Sequence, residues 1–280
     1  MIFSICLTSC INREKIVDKS KLLARDYRLY QKTPAWEFAK AVEDSNIDLM
    51  DKILSKKPYL IDYREPQYGN TLLKMTIENQ NYKSFKYLIN KGANIHLYER
   101  HSGQSAVISA CEFSTDIKFL KYLVEHGANI NDVGAPDSRL FRTPLMVACM
   151  YERFDIVKYL VEKGVDINYL NPYRRSAFRE AYLSSFKSSY KIVLYLIDHG
   201  ADYTKPIVYL EDKNRYVYIL ESLRKRLEPL NSRAYKEKME IVSFLKTKGL
   251  DYASEPIPLY IQKEIKKEYP NTWKEYMEKY

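Results

Sequence analysis

The sequence has few cysteines and few glycines, and each scarcity narrows the choice of fold. Its four cysteines are Cys6, Cys10, Cys111 and Cys149, and none of them forms a C-x-x-C pair. This count and spacing exclude a disulfide framework. Eight glycines beside 26 tyrosines favour a helical protein in which amphipathic aromatic rings fill half-buried positions.

The sequence also lacks the short motifs that carry catalysis. It contains no glycine-rich phosphate loop, no zinc-finger spacing and no nucleophile elbow. Two of its histidines, His96 and His101, lie close together with Glu99 between them, and they are the remaining metal alternative. Because no second cluster would complete the ligands, we predict no metal site, no cofactor, no catalytic residue and no enzyme.

The charge of the chain is basic overall, with a formal net charge of +9. The excess lies at the two ends, where acidic residues are interleaved with the basic ones. Solvated helix faces explain this pattern, and attraction to an anionic membrane surface is the alternative. No nucleic-acid partner is expected.

The chain opens with ten uncharged residues, MIFSICLTSC, a stretch too short to span a bilayer. Its last four residues, Leu7-Thr8-Ser9-Cys10, resemble the lipobox of bacterial lipoproteins. The resemblance implies a signal segment over residues 1–10, lipidation of Cys10 and a location in the bacterial cell envelope. Residues 11–34 would then form a charged tether or an N-terminal helix. No Lys or Arg precedes the apolar stretch, so the alternative is an apolar terminus without lipid.

One ending recurs along the chain, and it is the most informative pattern. It reads YLINKGANI, YLVEHGANI, YLVEKGVDI and YLIDHGADY, with a looser copy FLKTKGLDY, and the first four glycines are 35 to 37 residues apart. Apolar residues at helical spacing predict a buried stripe. The glycine predicts a left-handed residue that closes the helix, and the Asn or Asp after it favours a turn.

A second, shorter helix is predicted before each ending. In its clearest copy Thr143 can cap the helix and Pro144 occupies the first helical position. Matching hydroxyl caps are predicted at Thr71, Ser105 and Ser176. A turn, a short helix, a second helix and a Gly-Ala-Asn ending at this period resemble the ankyrin repeat. The resemblance implies an all-α ankyrin-repeat solenoid of about five to six helix–turn–helix units, with loop or β-hairpin fingers and a helical C-terminal cap.

The repeats are expected over residues 35–252, with a long insertion at 206–232, and the capping segment over residues 253–280. Cys111 and Cys149 occupy equivalent places in adjacent units and are predicted to be packed small residues. The histidine of the family's Thr-Pro-Leu-His motif is replaced in every copy, which predicts less regular loops. The replacements are Lys74, Ile108, Met146 and Arg179.

The resemblance implies a module that binds another protein through loop tips and the exposed side of the short helices, on the concave face. Counting from each cap gives these candidates: Tyr68, His101, Phe113, Arg139, Leu140, Phe141, Arg142, Met150, Tyr151, Tyr173 and Arg175. An aromatic cluster typical of interface hot spots is predicted from six of them: Phe113, Leu140, Phe141, Arg142, Met150 and Tyr151. In the alternative interpretation, Phe113 or Phe141 folds into the loop core.

Three functional hypotheses remain at this point. The first is an envelope-anchored, monomeric protein-binding module, and the resemblance to bacterial ankyrin lipoproteins implies an immunity protein against a secreted effector as a special case. The second is a soluble cytoplasmic or host-directed ankyrin effector or scaffold without lipid. The third, an enzyme within residues 206–280, lacks converging acid–base candidates. The membrane would be reached only through the lipid anchor, and the repeats do not specify which protein is bound.

Overall fold

The computed structural model describes residues 13–136, 140–185, 189–230 and 232–280. Two of the predicted sites, the lipidation site Cys10 and the candidate Arg139, lie outside the described residues. The chain divides into two compact units, which we call unit 1 (residues 1–128 and 135–140) and unit 2 (residues 129–134 and 141–280). Within the described residues, no helix combines the length and the apolar character needed to cross a bilayer.

Unit 1 consists of short helices arranged as successive helix pairs. Its α-helices are α1 (Trp36–Glu43), α2 (Ile47–Leu54), α3 (Leu72–Glu78), α4 (Tyr82–Asn90), α5 (Ala106–Phe113) and α6 (Lys118–Glu125). Short 3-10 helices cover Lys19–Lys21, Tyr27–Tyr30 and Pro58–Asp62. The first helices of the second and third pairs, α3 and α5, pack against each other, as expected when one repeat covers the apolar face of the next.

Unit 2 continues the same alternation and adds a small sheet. Its α-helices are α7 (Pro144–Met150), α8 (Phe154–Glu162), α9 (Ala177–Ser184), α10 (Lys191–Asp198), α11 (Ile219–Arg224), α12 (Arg233–Thr247), α13 (Leu259–Glu268) and α14 (Trp273–Lys279). Strands β1 (Val208–Leu210) and β2 (Arg215–Val217) form an antiparallel hairpin. The short helices α7 and α9 pack side by side.

The predicted helix starts and ends are confirmed. The hydroxyls of Thr71, Thr143 and Ser176 accept backbone N–H bonds at 3.3, 3.2 and 3.1 Å, whereas Ser105 occupies the cap position without such a bond. The glycines that close the second helices have left-handed backbones, with φ of +90° at Gly127. Local sequence therefore determines where most of these helices begin and end.

The prediction of packed cysteines is also confirmed. Cys111 and Cys149 are not joined in a disulfide, and both side chains are fully buried. Each lies on a short helix whose residues are buried on nearly every side, Pro144 to Cys149 in α7 being an example. Burial raises the pKa of the Cys111 thiol, so this side chain acts as a small apolar residue.

The segment 206–232 differs from the expected insertion. It supplies the hairpin β1–β2 and the short helix α11 ahead of α12, which are the finger and first helix that a repeat requires. The repeated ending did not reveal this, because the hairpin and α11 do not resemble it in sequence. The all-α prediction stands, since the strands are only three residues each.

The segment before α1 is part of the fold where the structure describes it. Tyr27, Leu29 and Tyr30 are buried, and the Tyr30 hydroxyl donates to the Asn70 carbonyl at 2.8 Å. The Lys19 ammonium donates to the carbonyls of Leu29 and Gln31 at 2.6 Å. In place of the tether or helix expected over residues 11–34, residues 13–34 therefore pack as irregular chain with two 3-10 turns.

The C-terminal segment packs through an aromatic cluster. Ile261, Ile265, Tyr276 and Tyr280 form a buried group with Leu227 and Leu230 against it. The Tyr276 hydroxyl donates to the Glu228 carbonyl. Helices α13 and α14 are thus joined to the end of the last finger-and-helix segment by apolar burial.

Candidate partner-binding surface

The fingers that precede the short helices are closed by single side chains at their bases. In three fingers a carboxylate or amide oxygen accepts two or more backbone N–H bonds from the tip: Glu65 from Gln67, Tyr68 and Asn70, Glu99 from Ser102 and Gly103, and Asn171 from Tyr173 and Arg175. The prediction of less regular loops stays a prediction, and in these three fingers the side chain at the base holds the backbone of the tip. The signal in the sequence is an acid or amide five or six residues before the cap hydroxyl.

Four of the predicted contact residues belong to unit 1. Tyr68 is half-buried, with its hydroxyl donating to the Leu22 carbonyl at 3.0 Å. Its ring contacts that of exposed His101 edge to face, at a centroid distance of 6.2 Å. Phe113 and Leu140 are half-buried. The structure thus brings Tyr68 and His101 together at neighbouring finger tips.

The remaining described candidates belong to unit 2. Tyr151 and Tyr173 are exposed, at 44% and 55% of their surface, and Arg175 is exposed too. Phe141, Arg142 and Met150 are half-buried. The six-residue aromatic cluster is therefore divided between the two units, with four members in unit 2, and it stays a prediction.

Phe141 serves the finger as well as the surface. It adopts a left-handed backbone, with φ of +42°, and its carbonyl accepts a bond from the Asn171 amide at 3.3 Å. Its ring meets that of Tyr173 edge to face at 6.1 Å. Tyr173 is consequently held by Phe141 while 55% of its surface remains exposed.

A first pocket in unit 2 lies along the exposed side of the short helices, and we call it the short-helix pocket. It has a volume of about 410 Å³ and is lined by Met150, Tyr151, Glu152, Glu180, Leu183 and Ser184. Four of these residues are the positions seven and eight after the caps Thr143 and Ser176, where the repeat pattern predicts partner contacts. Apolar and aromatic side chains with carboxylates at the edge suit a binding role.

A second pocket lies between two fingers of unit 2, and we call it the finger pocket. It has a volume of about 320 Å³ and is lined by Tyr173, Arg174, Arg175, Arg179, Pro206, Ile207, Val208, Tyr209, Glu211 and Tyr216. The sequence analysis did not predict that the hairpin contributes residues to this pocket. Tyr209 and Tyr216 face each other across β1 and β2, with ring centroids 4.9 Å apart. Two short β-prone stretches around Asp-Lys-Asn are the signal that could have found them.

The two pockets meet on helix α9. Arg179 lines the finger pocket and Glu180 lines the short-helix pocket, and the two side chains form an ion pair at 2.6 Å. The Arg179 Nε also donates to the Ile207 carbonyl at 2.7 Å, which ties the hairpin to α9. The surface therefore has an arginine-rich end and a carboxylate end on one rigid element.

A larger cavity, of about 710 Å³, lies in unit 1 beside the segment that precedes α1. Most of the charges on its wall are already matched, Arg25 being the exception among the described residues. Arg13 forms ion pairs with Glu43 and Asp44 at 3.0 and 2.7 Å. Arg28 forms an ion pair with Asp26 at 2.6 Å. These pairs leave less unsatisfied charge for a partner than the surface in unit 2.

In the part of the chain that the structure describes, no group of three or more His, Cys, Asp or Glu residues is placed to hold a metal ion. His126 and His199 each cap a second helix. In each, the ring nitrogen lies 2.8 Å from the carbonyl four residues earlier, so both are structural surface residues.

Comparison with known proteins assigns the family. The family model for ankyrin repeats matches residues 38–134 and 132–207, more than half of the chain. The chain belongs to the ankyrin repeat family, and repeats of this family are interaction modules. Its fold class is the all-α ankyrin-repeat solenoid.

Several relatives share part of this sequence. Alpha-latrocrustotoxin-Lt1a of Latrodectus tredecimguttatus is 31% identical over 42% of this chain, and glycerophosphocholine phosphodiesterase GDE1 of Eremothecium gossypii is 29% identical over 44% of it. The putative ankyrin repeat protein L371 of Acanthamoeba polyphaga mimivirus is 27% identical over 57% of it. The matches cover 8%, 8% and 19% of these relatives, so the chain spans less than a fifth of each.

Proposed function

We propose that this chain binds another protein through the short-helix pocket and the finger pocket of unit 2, and that it performs no catalysis. The observation that carries the proposal is the exposure of Tyr151 and Tyr173 at these two pockets. Both lie beside residue types enriched at interfaces, Met150 and Arg175. Large aromatic rings held on rigid elements lose little conformational entropy when a partner covers them.

The relatives support recognition over chemistry. A toxin, a phosphodiesterase and a viral ankyrin repeat protein have different names, yet each matches this chain over less than a fifth of its own length. A segment common to proteins with such different names is better explained by a shared binding scaffold than by a shared reaction.

The test begins with a pull-down that uses the full chain as bait, followed by calorimetric titration of the captured protein. The double variant Tyr151→Ala with Tyr173→Ala should weaken binding by about 2 kcal/mol or more, as central aromatic anchors do. Its melting temperature should stay nearly unchanged, because both rings are exposed.

The matched control is Lys158→Ala on α8. Lys158 is 55% exposed, and the Glu162 carboxylate is 3.8 Å from its ammonium, so its loss should change binding by under about 0.5 kcal/mol. Equal losses in the control and the double variant would mean that charge alone drives association. A wild-type affinity in the double variant would place the interface elsewhere.

We further propose that Cys10 anchors the module to a bacterial envelope and that the bound protein is a secreted effector which it inhibits. The support is the Leu-Thr-Ser-Cys pattern at residues 7–10. The variant Cys10→Ala should move the protein from the membrane fraction to the soluble fraction, and intact-mass analysis of the wild type should find acyl chains. An unlipidated wild type would favour the soluble effector or scaffold instead. Inhibition is checked by assaying the captured protein with and without this chain.

A further inference from the structure

We propose that the finger pocket binds an acidic, extended segment of the partner protein, with a carboxylate held by Arg174 and Arg175. This inference rests on the proposed protein-binding function and names the chemistry of the partner at that surface. It comes from the charges of the pocket and the way in which its arginines are held.

Both arginines present their guanidinium groups without a carboxylate partner among the described residues. Arg174 lies over the ring of Tyr216 at 5.5 Å, and Arg175 lies over the ring of Tyr173 at 5.8 Å. Stacking occupies the face of a guanidinium and leaves the N–H donors on its edge free. Two adjacent forks of this kind match the oxygens of a carboxylate, which an arginine can bind in bidentate geometry.

The backbone that carries the two arginines is positioned before any partner arrives. The Asn171 side-chain oxygen accepts from the backbone N–H of Tyr173 and Arg175 at 3.0 and 2.9 Å, and the Arg174 N–H donates to the Asn171 carbonyl at 2.8 Å. The opposite wall is fixed by the bond from Arg179 to Ile207. A preorganised site loses less entropy on binding than a flexible one.

Other arginines of unit 2 show what a satisfied group looks like. Arg215, on the same hairpin, makes two bonds of 2.6 Å to the Glu221 carboxylate, and Arg179 is paired with Glu180. Arg174 and Arg175 line the same pocket and differ from these two because no carboxylate among the described residues pairs with them. The lining also contains the exposed carboxylate of Glu211, which would repel an acidic ligand from that edge and so fix its position.

The direct test is an NMR titration of the full chain, followed through the Nε–Hε signals of its arginines. The probe is a blocked tetrapeptide of sequence EDED, with the blocked peptide QNQN as the neutral control. We expect saturable shifts at Arg174 and Arg175 with EDED and none with QNQN. The signal of Arg215 serves as the internal control, because its carboxylate is already supplied by Glu221.

Variants then show whether each charged side chain strengthens or weakens the binding of EDED. The double variant Arg174→Gln with Arg175→Gln should weaken EDED binding by about tenfold, as the loss of charge-assisted bonds predicts. Glu211→Gln should tighten it by about twofold to fivefold, because a nearby like charge is removed. Arg215→Gln should change it by less than about twofold, since an exposed paired arginine has little charge left to offer.

Each alternative outcome overturns the inference in a recognisable way. Equal shifts at Arg215, or at arginines throughout the chain, would mean unspecific attraction between charges. Equal use of the same residues by a ten-residue oligothymidylate would assign the pocket to nucleic acid. Absent shifts with EDED, while the double tyrosine variant still loses its captured partner, would refute the acidic segment and leave the protein-binding function standing. If the tyrosine variant keeps its partner while EDED binds as expected, the proposed interface fails and the pocket remains a site for acidic chains.

Discussion

Among the residues that the structure describes, each unit buries one lysine, and the two lysines are accommodated in different ways. Lys74 of α3 lies in unit 1, 6% exposed, with its ammonium 3.3 Å from the Glu78 carboxylate and 3.9 Å from that of Glu99. Lys238 of α12 lies in unit 2 and is fully buried. Charge is therefore matched by charge in one case, and the other requires a different explanation.

Lys238 has tyrosine rings and a carbonyl around it. Its ammonium donates to the Arg226 carbonyl at 2.9 Å and lies 3.9 Å from the ring centroid of Tyr280 and 5.5 Å from that of Tyr252. Burial lowers the pKa of Lys238 to about 7, and the charges of Arg224 and Arg226 add to this against the opposing effect of Glu228. Burying a cation is thus tolerated either by pairing it or by making its proton easy to lose.

The largest effect should come from breaking the paired site. Lys74→Met leaves two carboxylates buried without their cation, which should lower the free energy of unfolding by about 3–5 kcal/mol at pH 7. Denaturant titration measures it, with the exposed Lys83→Met as the control, expected to stay within about 0.5 kcal/mol. A loss as small as that of the control would mean that the ion cluster is not what holds this part of unit 1.

The stability lost in the same variant should depend on pH in a defined direction. Burial raises the pKa of Glu78, an effect that Lys74 opposes. Without Lys74 that pKa should rise further, so the folded state should take up a proton before the unfolded chain does. A group whose pKa is raised by folding favours the folded state most when the pH is below its pKa in the unfolded chain. That contribution to stability is lost as the pH rises through the pKa in the folded protein. The deficit of Lys74→Met should therefore shrink as pH falls toward about 4, near the ordinary pKa of a glutamate.

The second effect tests the unpaired site through its pH dependence. Because the pKa of Lys238 is about 7 in the folded protein and 10.5 ordinarily, the unfolded chain binds more protons between these values, and stability rises with pH there. From pH 7 to pH 9 the wild type should gain about 2 kcal/mol relative to Lys238→Met. Denaturation midpoints at pH 7, 8 and 9 measure it, and parallel curves for the two proteins would refute it. The range stops at pH 9 because the buried tyrosines, whose pKa values are raised, oppose the trend above it.

Sequence periodicity predicted the features of both units that depend on nearby residues in the chain. Caps such as Thr143 and closing glycines such as Gly164 depend on residues within one turn of a helix, so they could be read directly. Neither buried lysine could be found in that way. Lys74 was noticed only as the residue at the family's histidine position, and its partner Glu99 comes from the next finger along the chain.

The candidate surface was predictable in part for the same reason. Met150, Tyr151 and the short-helix pocket follow from counting along a repeat. Arg174 and the hairpin tyrosines Tyr209 and Tyr216 do not, because the finger pocket forms only when a second finger folds back from residues that share no repeated pattern. Long-range packing decides such positions, and the period of a repeat does not encode it.

A smaller effect is expected where the two units are alike. Gly127 in unit 1 and Gly164 in unit 2 close their helices at φ of +90° and +79°, and an added Cβ would meet no atom within 4 Å. Only backbone strain is then at stake, so Val at either position should destabilise by about 1 kcal/mol or more. Asn, which tolerates this backbone region better, is the matched control at each position. Unchanged melting of both Val variants would contradict the left-handed closure.

The smallest effect on stability is expected for a Lys–Glu pair that has the same spacing as the buried pair but is exposed to solvent. Lys158 and Glu162 on α8 have the same four-residue spacing as Lys74 and Glu78, yet their side chains are 55% and 58% exposed and their charged atoms lie 3.8 Å apart. Water and salt screen such a pair, so Lys158→Met should change the free energy of unfolding by under about 0.5 kcal/mol. Measured beside Lys74→Met, it separates the spacing of a pair from its environment. A loss in Lys158→Met as large as that in Lys74→Met would show that helix spacing, rather than burial, sets the strength of these ion pairs.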